Sequence, residues 1–151
     1  GKVINSRFND IGQLGGGDAV DFSGSEVLLE KILFKNINDK AISAGENSII
    51  QAKNIEINRA AHAIVSKDGS KLTIDRAHLA NTLNCELMSY QKKSIYGPAK
   101  LFATNISLSG EKKECYKAQL GSRIKLEERY LAEQRLNVKN LYKTDMKKNN
   151  K

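Results

Sequence analysis

Tryptophan is absent from this 151-residue sequence, aromatics make up 6% of it, and there is a single proline. So few rings exclude a core anchored on large aromatic side chains and leave aliphatic layers as the means of burial. No apolar run of about 18 residues occurs, so no segment reads as a membrane-spanning helix. No basic stretch followed by an apolar one opens the chain, so no signal peptide is read. Two cysteines are too few for a disulfide framework. Cys85 stands beside the apolar pair Leu87 and Met88 and reads as a small buried residue. Cys115 lies in a charged stretch, and nothing in the sequence pairs it with Cys85. His62 and His78 have no cysteine or carboxylate at metal-ligand spacing, which argues against zinc. His62 reads as a surface residue in an outward column that includes Lys40. Gly15-Gly16-Gly17 is followed by neither Lys-Ser/Thr nor a helix start, so it is not a phosphate loop.

Charge of one sign is also scarce where it would matter. The formal net charge is +8, but residues 111–151 hold 12 Lys or Arg against 6 Asp or Glu, while the first 110 residues hold 13 against 11. A nucleic-acid partner wants a basic stripe on the folded face together with stacking aromatics. The nearly neutral body argues against that partner.

What the sequence does contain is a repeat. Ala41 to Ser48 (AISAGENS) and Ala63 to Ser70 (AIVSKDGS) are its clearest copies, with looser ones at Ala19 to Ser25 and Leu87 to Ser94. The closing serines Ser25, Ser48, Ser70 and Ser94 stand 23, 22 and 24 residues apart. A near-constant period of this size means one supersecondary unit stacked on itself. Counting on from each serine gives apolar columns: Val27, Ile50 and Leu72; Leu29, Ala52 and Ile74; Ile32, Ile55 and Ala77; Phe34, Ile57 and Leu79. A further set is Val20, Ile42, Ile64 and Met88. Apolar residues alternate at i and i+2, which is a strand period. Three short strands per repeat, separated by polar turns, describe a coil of a right-handed parallel β-helix, an all-β solenoid of four to five coils. Like columns then stack about 4.8 Å apart. Asn36, Arg59 and Asn81 share a turn position, so an asparagine ladder there is partial. Leucine-rich and helical repeats have the wrong consensus or the wrong length.

The coils are expected over residues 1–110, with Lys2 to Asn5 closing an earlier coil and an irregular turn running on to Gly17. In the fourth copy Leu101, Ala103 and Asn105 keep the late positions, and Ser94 to Pro98 bulges out, since proline removes a ladder donor. Residues 111–146 break the period and read as a capping element of short strands (SRIKL at 122–126, then Leu136 to Val138), with a helix over 127–135 as the competing reading. Residues 147–151 read as a frayed tail. With no initiator methionine, the sequence is expected to be a piece of a longer protein.

The runs Asp18 to Ser25, Asp39 to Ser48 and Ser66 to Ser70 resemble right-handed parallel β-helix proteins of the pectate-lyase-like superfamily, in particular the C-terminal coils and cap of a larger bacterial protein. The likeness covers about residues 18–106. It implies a secreted or cell-surface location, a polysaccharide partner and, for its enzymes, clustered carboxylates with Ca²⁺ and a basic residue acting on a uronic acid. The superfamily's functions are diverse, so fold does not give activity. Candidates for a ligand or carbohydrate site are Asp18, Asp21, Asp39, Lys40, Glu46, Lys67, Asp68, Tyr90 and Lys92, and the Ca²⁺ candidates are Asp18, Asp21 and Asp39. Stacking is expected to bring Glu46, Asp68 and Lys92 together. Alternating charges on successive turns also stabilise and solubilise a solenoid without any ligand, and that structural reading stands beside the functional one. Arg7, Arg59 and Arg76 lie outside the carboxylate columns, which counts against a lyase. The leading expectation is therefore a rigid scaffold with a carbohydrate-binding face. The alternatives are a polysaccharide lyase or epimerase acting on uronic-acid polymers, and a self-association module working through an exposed coil end.

Overall fold

Each turn of the chain bends where one residue takes a positive φ. Two such positions recur in register. Asn5, Lys31, Asn54, Arg76 and Asn105 form one column, at φ 50–66°, and Asp10, Asn36, Arg59 and Asn81 form another, at φ 54–65°. A single left-handed residue turns an extended strand through a corner, and asparagine and aspartate tolerate that conformation best. The asparagine column is thus primarily a corner. Side-chain bonds are secondary to it: Asn36 Nδ2 donates to Asp10 Oδ1 (2.9 Å) and Asn81 Nδ2 to Asn58 Oδ1 (3.1 Å).

A computed structural model describes residues 1–146 as a parallel β-solenoid of about five turns with a short C-terminal helix. The terminal segment read from sequence as a frayed tail, 147–151, lies outside the described residues. The strands are β1 (Lys2–Ile11), β2 (Val20–Ser23), β3 (Glu26–Gly45), β4 (Ile49–Lys67), β5 (Lys71–Ala80), β6 (Cys85–Tyr90), β7 (Lys100–Ser109), β8 (Tyr116–Gln119) and β9 (Arg123–Leu126). Each pairs in parallel with the strand one turn on. Then β10 (Arg129–Tyr130) folds back antiparallel on β9, and β11 (Glu133–Gln134) runs parallel to β8. The helix α1 (Val138–Thr144) follows, its first turn capped by Asn137 Oδ1 accepting from the Asn140 amide (2.9 Å).

The apolar columns stack as the period requires. Val27, Ile50, Leu72, Leu101 and Ile124 form one, and Phe8, Phe34, Ile57, Leu79 and Leu108 another. The Phe8 and Phe34 rings stack 5.3 Å apart. Fully burying each such side chain is worth about 1.5–3 kcal/mol. The repeated serine also has a structural use. Ser48 Oγ accepts from the Ser25 amide (3.1 Å), Ser70 Oγ from the Ser48 amide (3.0 Å) and Ser122 Oγ from the Ala99 amide (3.0 Å).

Several expectations need correcting. The fourth closing position belongs to Ala99, because Lys71 pairs with Lys100; Ser94 lies in an insertion that lengthens this turn. Leu101, Ala103 and Asn105 accordingly sit beside Leu72, Ile74 and Arg76, five residues earlier in the repeat than the serine count placed them. Leu87, not Met88, stacks on Ile64, and Met88 faces outward with Val65. Lys2 to Ile11 is not the end of a coil followed by a turn but a full rung against β3, and the irregular stretch begins at Gly12. Residues 127–135 hold β10 and β11 rather than a helix, and the helix starts where Leu136 to Val138 had read as a strand. Finally, Cys85 and Cys115 form a disulfide, with Cα atoms 4.6 Å apart. Stacking β8 on β6 brings them together across 30 residues of sequence. Spacing alone carries no trace of that.

Candidate functional site

Strand alternation sends Ser43, Val65 and Met88 out of the solenoid in one column and Lys40, His62 and Cys85 in another. On most of the surface such residues would meet water. Here α1 lies across them. Leu141 and Met146 pack against Val65, Cys85, Met88 and Tyr90, forming a second apolar cluster outside the coil. Lys40, Ser43 and His62 are consequently buried.

At the centre is the Lys40 ammonium. Its Nζ donates to Asp18 Oδ1 and to Asp39 Oδ2, each at 3.0 Å. Asp18 Oδ1 also accepts from the Lys40 amide (3.2 Å), while Asp39 enters at the irregularity between Ile37 and Lys40. Two carboxylates thus share one cation in a poorly solvated place. Burial pushes Asp39 up to about 6, against the pull of Lys40 and with further repulsion from Asp18. Burial alone would lower the Lys40 pKa, but Asp18 and Asp39 outweigh it and raise it. The two shifts agree: the ammonium stays charged, and the surplus negative charge is relieved at Asp39.

Two tyrosines roof the triad. The Tyr90 hydroxyl is 2.8 Å from that of Tyr142 and donates to Met146 Sδ (3.4 Å). Their rings meet edge to face at 6.2 Å. Lys92 Nζ sits over the Tyr142 ring, 4.0 Å from its centroid, and Lys40 Nζ lies 5.7 Å away. Burial raises both phenol pKa values, Tyr90's well above normal. Burial, reinforced by Lys67 and Lys40, lowers that of Lys92. His62 Nε2 is 3.5 Å from the Asp145 carbonyl, and burial lowers its pKa to about 4. Among the described residues, three polar atoms of this face have no hydrogen-bond partner: Asp39 Oδ1, Ser43 Oγ and His62 Nδ1.

The sequence candidates therefore divide. Asp18, Asp39, Lys40, Tyr90 and Lys92 meet around Tyr142. Asp21 instead receives Lys67 Nζ at 3.4 Å, the lysine stem crossing Gly45 so closely that a Cβ there would lie 2.9 Å from Lys67 Cε. Glu46 pairs with Lys93, not Lys92. Asp68 is buried, and its Oδ1 accepts the Lys92 and Lys93 amides (2.6 and 2.7 Å), which ties the insertion to the coil. Glu46, Asp68 and Lys92 thus do not converge through their side chains. The Ca²⁺ trio does not assemble either: Asp18 and Asp39 already bracket an ammonium, and Asp21 is engaged elsewhere. Among the described residues no group of three or more His, Cys, Asp or Glu is placed to hold a metal.

Sequence reasoning did not include His62, Ser43 or Tyr142 in the site. The Lys40–His62 column was visible, but its burial depends on α1. Tyr142 belongs to a segment whose docking has no periodic signature.

The fold defines a protein of the parallel β-solenoid class, and among the described residues no helix is long and apolar enough to cross a membrane. Comparison with protein-family models, curated proteins and solved structures finds no match.

Proposed function

We propose that this chain is a rigid solenoid scaffold of an exported or cell-surface bacterial protein, and that its Asp18–Asp39–Lys40 face binds an acidic polysaccharide. One observation carries the reading. Among the described residues, Asp39 Oδ1, Ser43 Oγ and His62 Nδ1 are buried and unpartnered on one outward face, beside Lys40 and two tyrosines. A buried polar atom without a partner costs about 1–3 kcal/mol, so a face optimised only for stability would be apolar. The Lys92 ammonium suits a sugar carboxylate, and hydroxyl, carboxylate and imidazole atoms suit sugar hydroxyls. Binding is favoured over lyase or epimerase chemistry because Asp18 and Asp39 hold Lys40 as an ammonium, unfit to act as a base, and among the described residues no arginine joins the carboxylates. Arg76 is held on another face by Asn54 Oδ1 (3.1 Å), and Arg59 occupies a corner.

The test is titration of the chain with a uronic-acid oligosaccharide, with and without Ca²⁺, followed by amide chemical shifts and by an assay for unsaturated product. Shifts clustered at Asp18, Asp39 to Ser43, Tyr90 to Lys92 and the overlying residues 138–146, with no product, are expected. No shift in either condition would end the carbohydrate reading, and product formation would replace binding with lyase activity.

A further inference from the structure

The helix that buries this face is joined to it by side chains, through the Leu141 and Met146 cluster and a few hydrogen bonds. Seven residues are too few for a helix to persist on its own. Every rung of the solenoid is joined to the next by backbone bonds. Among the described residues, by contrast, the hydrogen bonds linking α1 and the two residues after it to the coil are side-chain contacts: Tyr142 with Tyr90, Tyr90 with Met146 Sδ, and His62 with the Asp145 carbonyl. Segments held in this way open at a small fraction of the global unfolding free energy.

What α1 places on the face is also specific. The Tyr142 ring has the Lys92 ammonium over one face at 4.0 Å and a second ammonium, Lys40, at 5.7 Å, and its hydroxyl meets the Tyr90 hydroxyl at 2.8 Å. This six-membered ring with one hydroxyl covers the Lys92 ammonium and meets Tyr90, while Asp18 and Asp39 hold Lys40; among the described residues Asp39 Oδ1, Ser43 Oγ and His62 Nδ1 stay unpaired. A pyranose ring carrying several hydroxyls and a carboxylate would engage Lys92 by charge and supply hydroxyl partners for the remaining atoms.

Resting on the carbohydrate reading, we infer that α1 is a strap seated in the binding site, with Tyr142 in the place of a uronic-acid ring, and that an acidic oligosaccharide binds by displacing it. The ligand then competes with the helix, and apparent affinity falls by the fraction of molecules in which the strap is open.

The experiment uses the full chain and a uronic-acid oligosaccharide as probe. Binding is measured for the parent, Tyr142→Ala and Leu141→Asp, and hydrogen exchange is followed at residues 138–145 with and without the probe. Both variants are expected to bind about tenfold more tightly or better, in line with removal of a closed-state penalty. In the parent the probe is expected to speed exchange across α1. Tyr142→Ala keeps Leu141 and Met146, so it tests the ring's seat even if Leu141→Asp disturbs the coil. Adding Lys92→Gln to Tyr142→Ala is expected to cancel the gain. Equal affinity in parent and variants, with exchange unchanged, overturns the strap while leaving the carbohydrate reading intact. A gain that survives Lys92→Gln places the ligand elsewhere and overturns the strap. Absence of binding in parent and variants alike ends the carbohydrate reading, and the strap with it.

Discussion

The two histidines sit on outward positions of the same solenoid and live in opposite surroundings. His78, on β5, is hydrogen-bonded at both ring nitrogens to exposed hydroxyls, Nδ1 to Ser107 Oγ (2.7 Å) and Nε2 to Ser109 Oγ (3.1 Å). His62, on β4, lies beneath α1 with one nitrogen unpartnered among the described residues and its basicity suppressed by burial. Strand alternation assigns both side chains to the outside. Only the C-terminal segment makes one outside a second interior. An outward column of a solenoid is thus undecided between surface and site until something is laid across it.

The covered face should answer strongly to changes in charge, and the open one hardly at all. Lys40→Met strands a buried carboxylate, Asp39, and a half-buried one, Asp18, and is expected to cost about 3–5 kcal/mol, the range for removing one partner of a buried ion pair. The readout is the denaturant midpoint near neutral pH, and a loss under about 1 kcal/mol would show the triad to be solvated. Next comes the Cys85–Cys115 disulfide, which ties the edge of this face across 30 residues. Replacing both cysteines by alanine is expected to cost about 3–4 kcal/mol on the chain-entropy account. An unchanged midpoint would mean that the cap is held without it.

Acid should then separate two opposing groups on the covered face. His62 has a folded pKa of about 4 against 6.5 when exposed, so its contribution is present above pH 6.5 and is lost as pH falls toward 4. Asp39 rises from 3.8 to about 6, so its contribution is present below 3.8 and is lost as pH climbs through 6. Each arm is on the order of 3 kcal/mol, and they offset each other. The other charged groups influencing them are Asp18, Lys40, Asp145 and Lys117. His62→Gln should leave a chain that gains stability between pH 6 and 4, and Asp39→Asn one that loses it more steeply than the parent. Identical pH profiles for parent and both variants would put these groups in water. The smallest effect belongs to the exposed corners. Arg59 holds φ 65° at a position where Asn36 and Asn81 do the same in adjacent turns. Arg59→Asn should therefore stabilise by about 0.5–1 kcal/mol, read as a raised Tm. No gain would mean that the arginine has a compensating contact.

The columns Val27–Ile50–Leu72 and Phe34–Ile57–Leu79 are legible in the sequence because they recur at a fixed spacing and alternate. Reading failed at Ser94, where a serine at nearly the right distance belongs to an insertion. Register is set by backbone pairing with the previous turn, not by the likeness of one residue. The second corner, through Lys31, Asn54 and Arg76, was missed because its members share a backbone angle rather than a chemistry. Of the site, Asp18, Asp39 and Lys40 were visible as neighbouring charges, but not their convergence on one ammonium.

The amino-acid sequence by itself determined the solenoid, its period and its inward columns, because stacking like on like is a local consequence of a two-residue alternation repeated every turn. The tertiary structure alone decided that Cys85 meets Cys115, that His62 is buried and that Tyr142 closes over Lys40. Those facts depend on how a non-repeating segment docks on a repeating one. Such docking is governed by shape and charge assembled from four separate stretches of chain, which no single stretch displays.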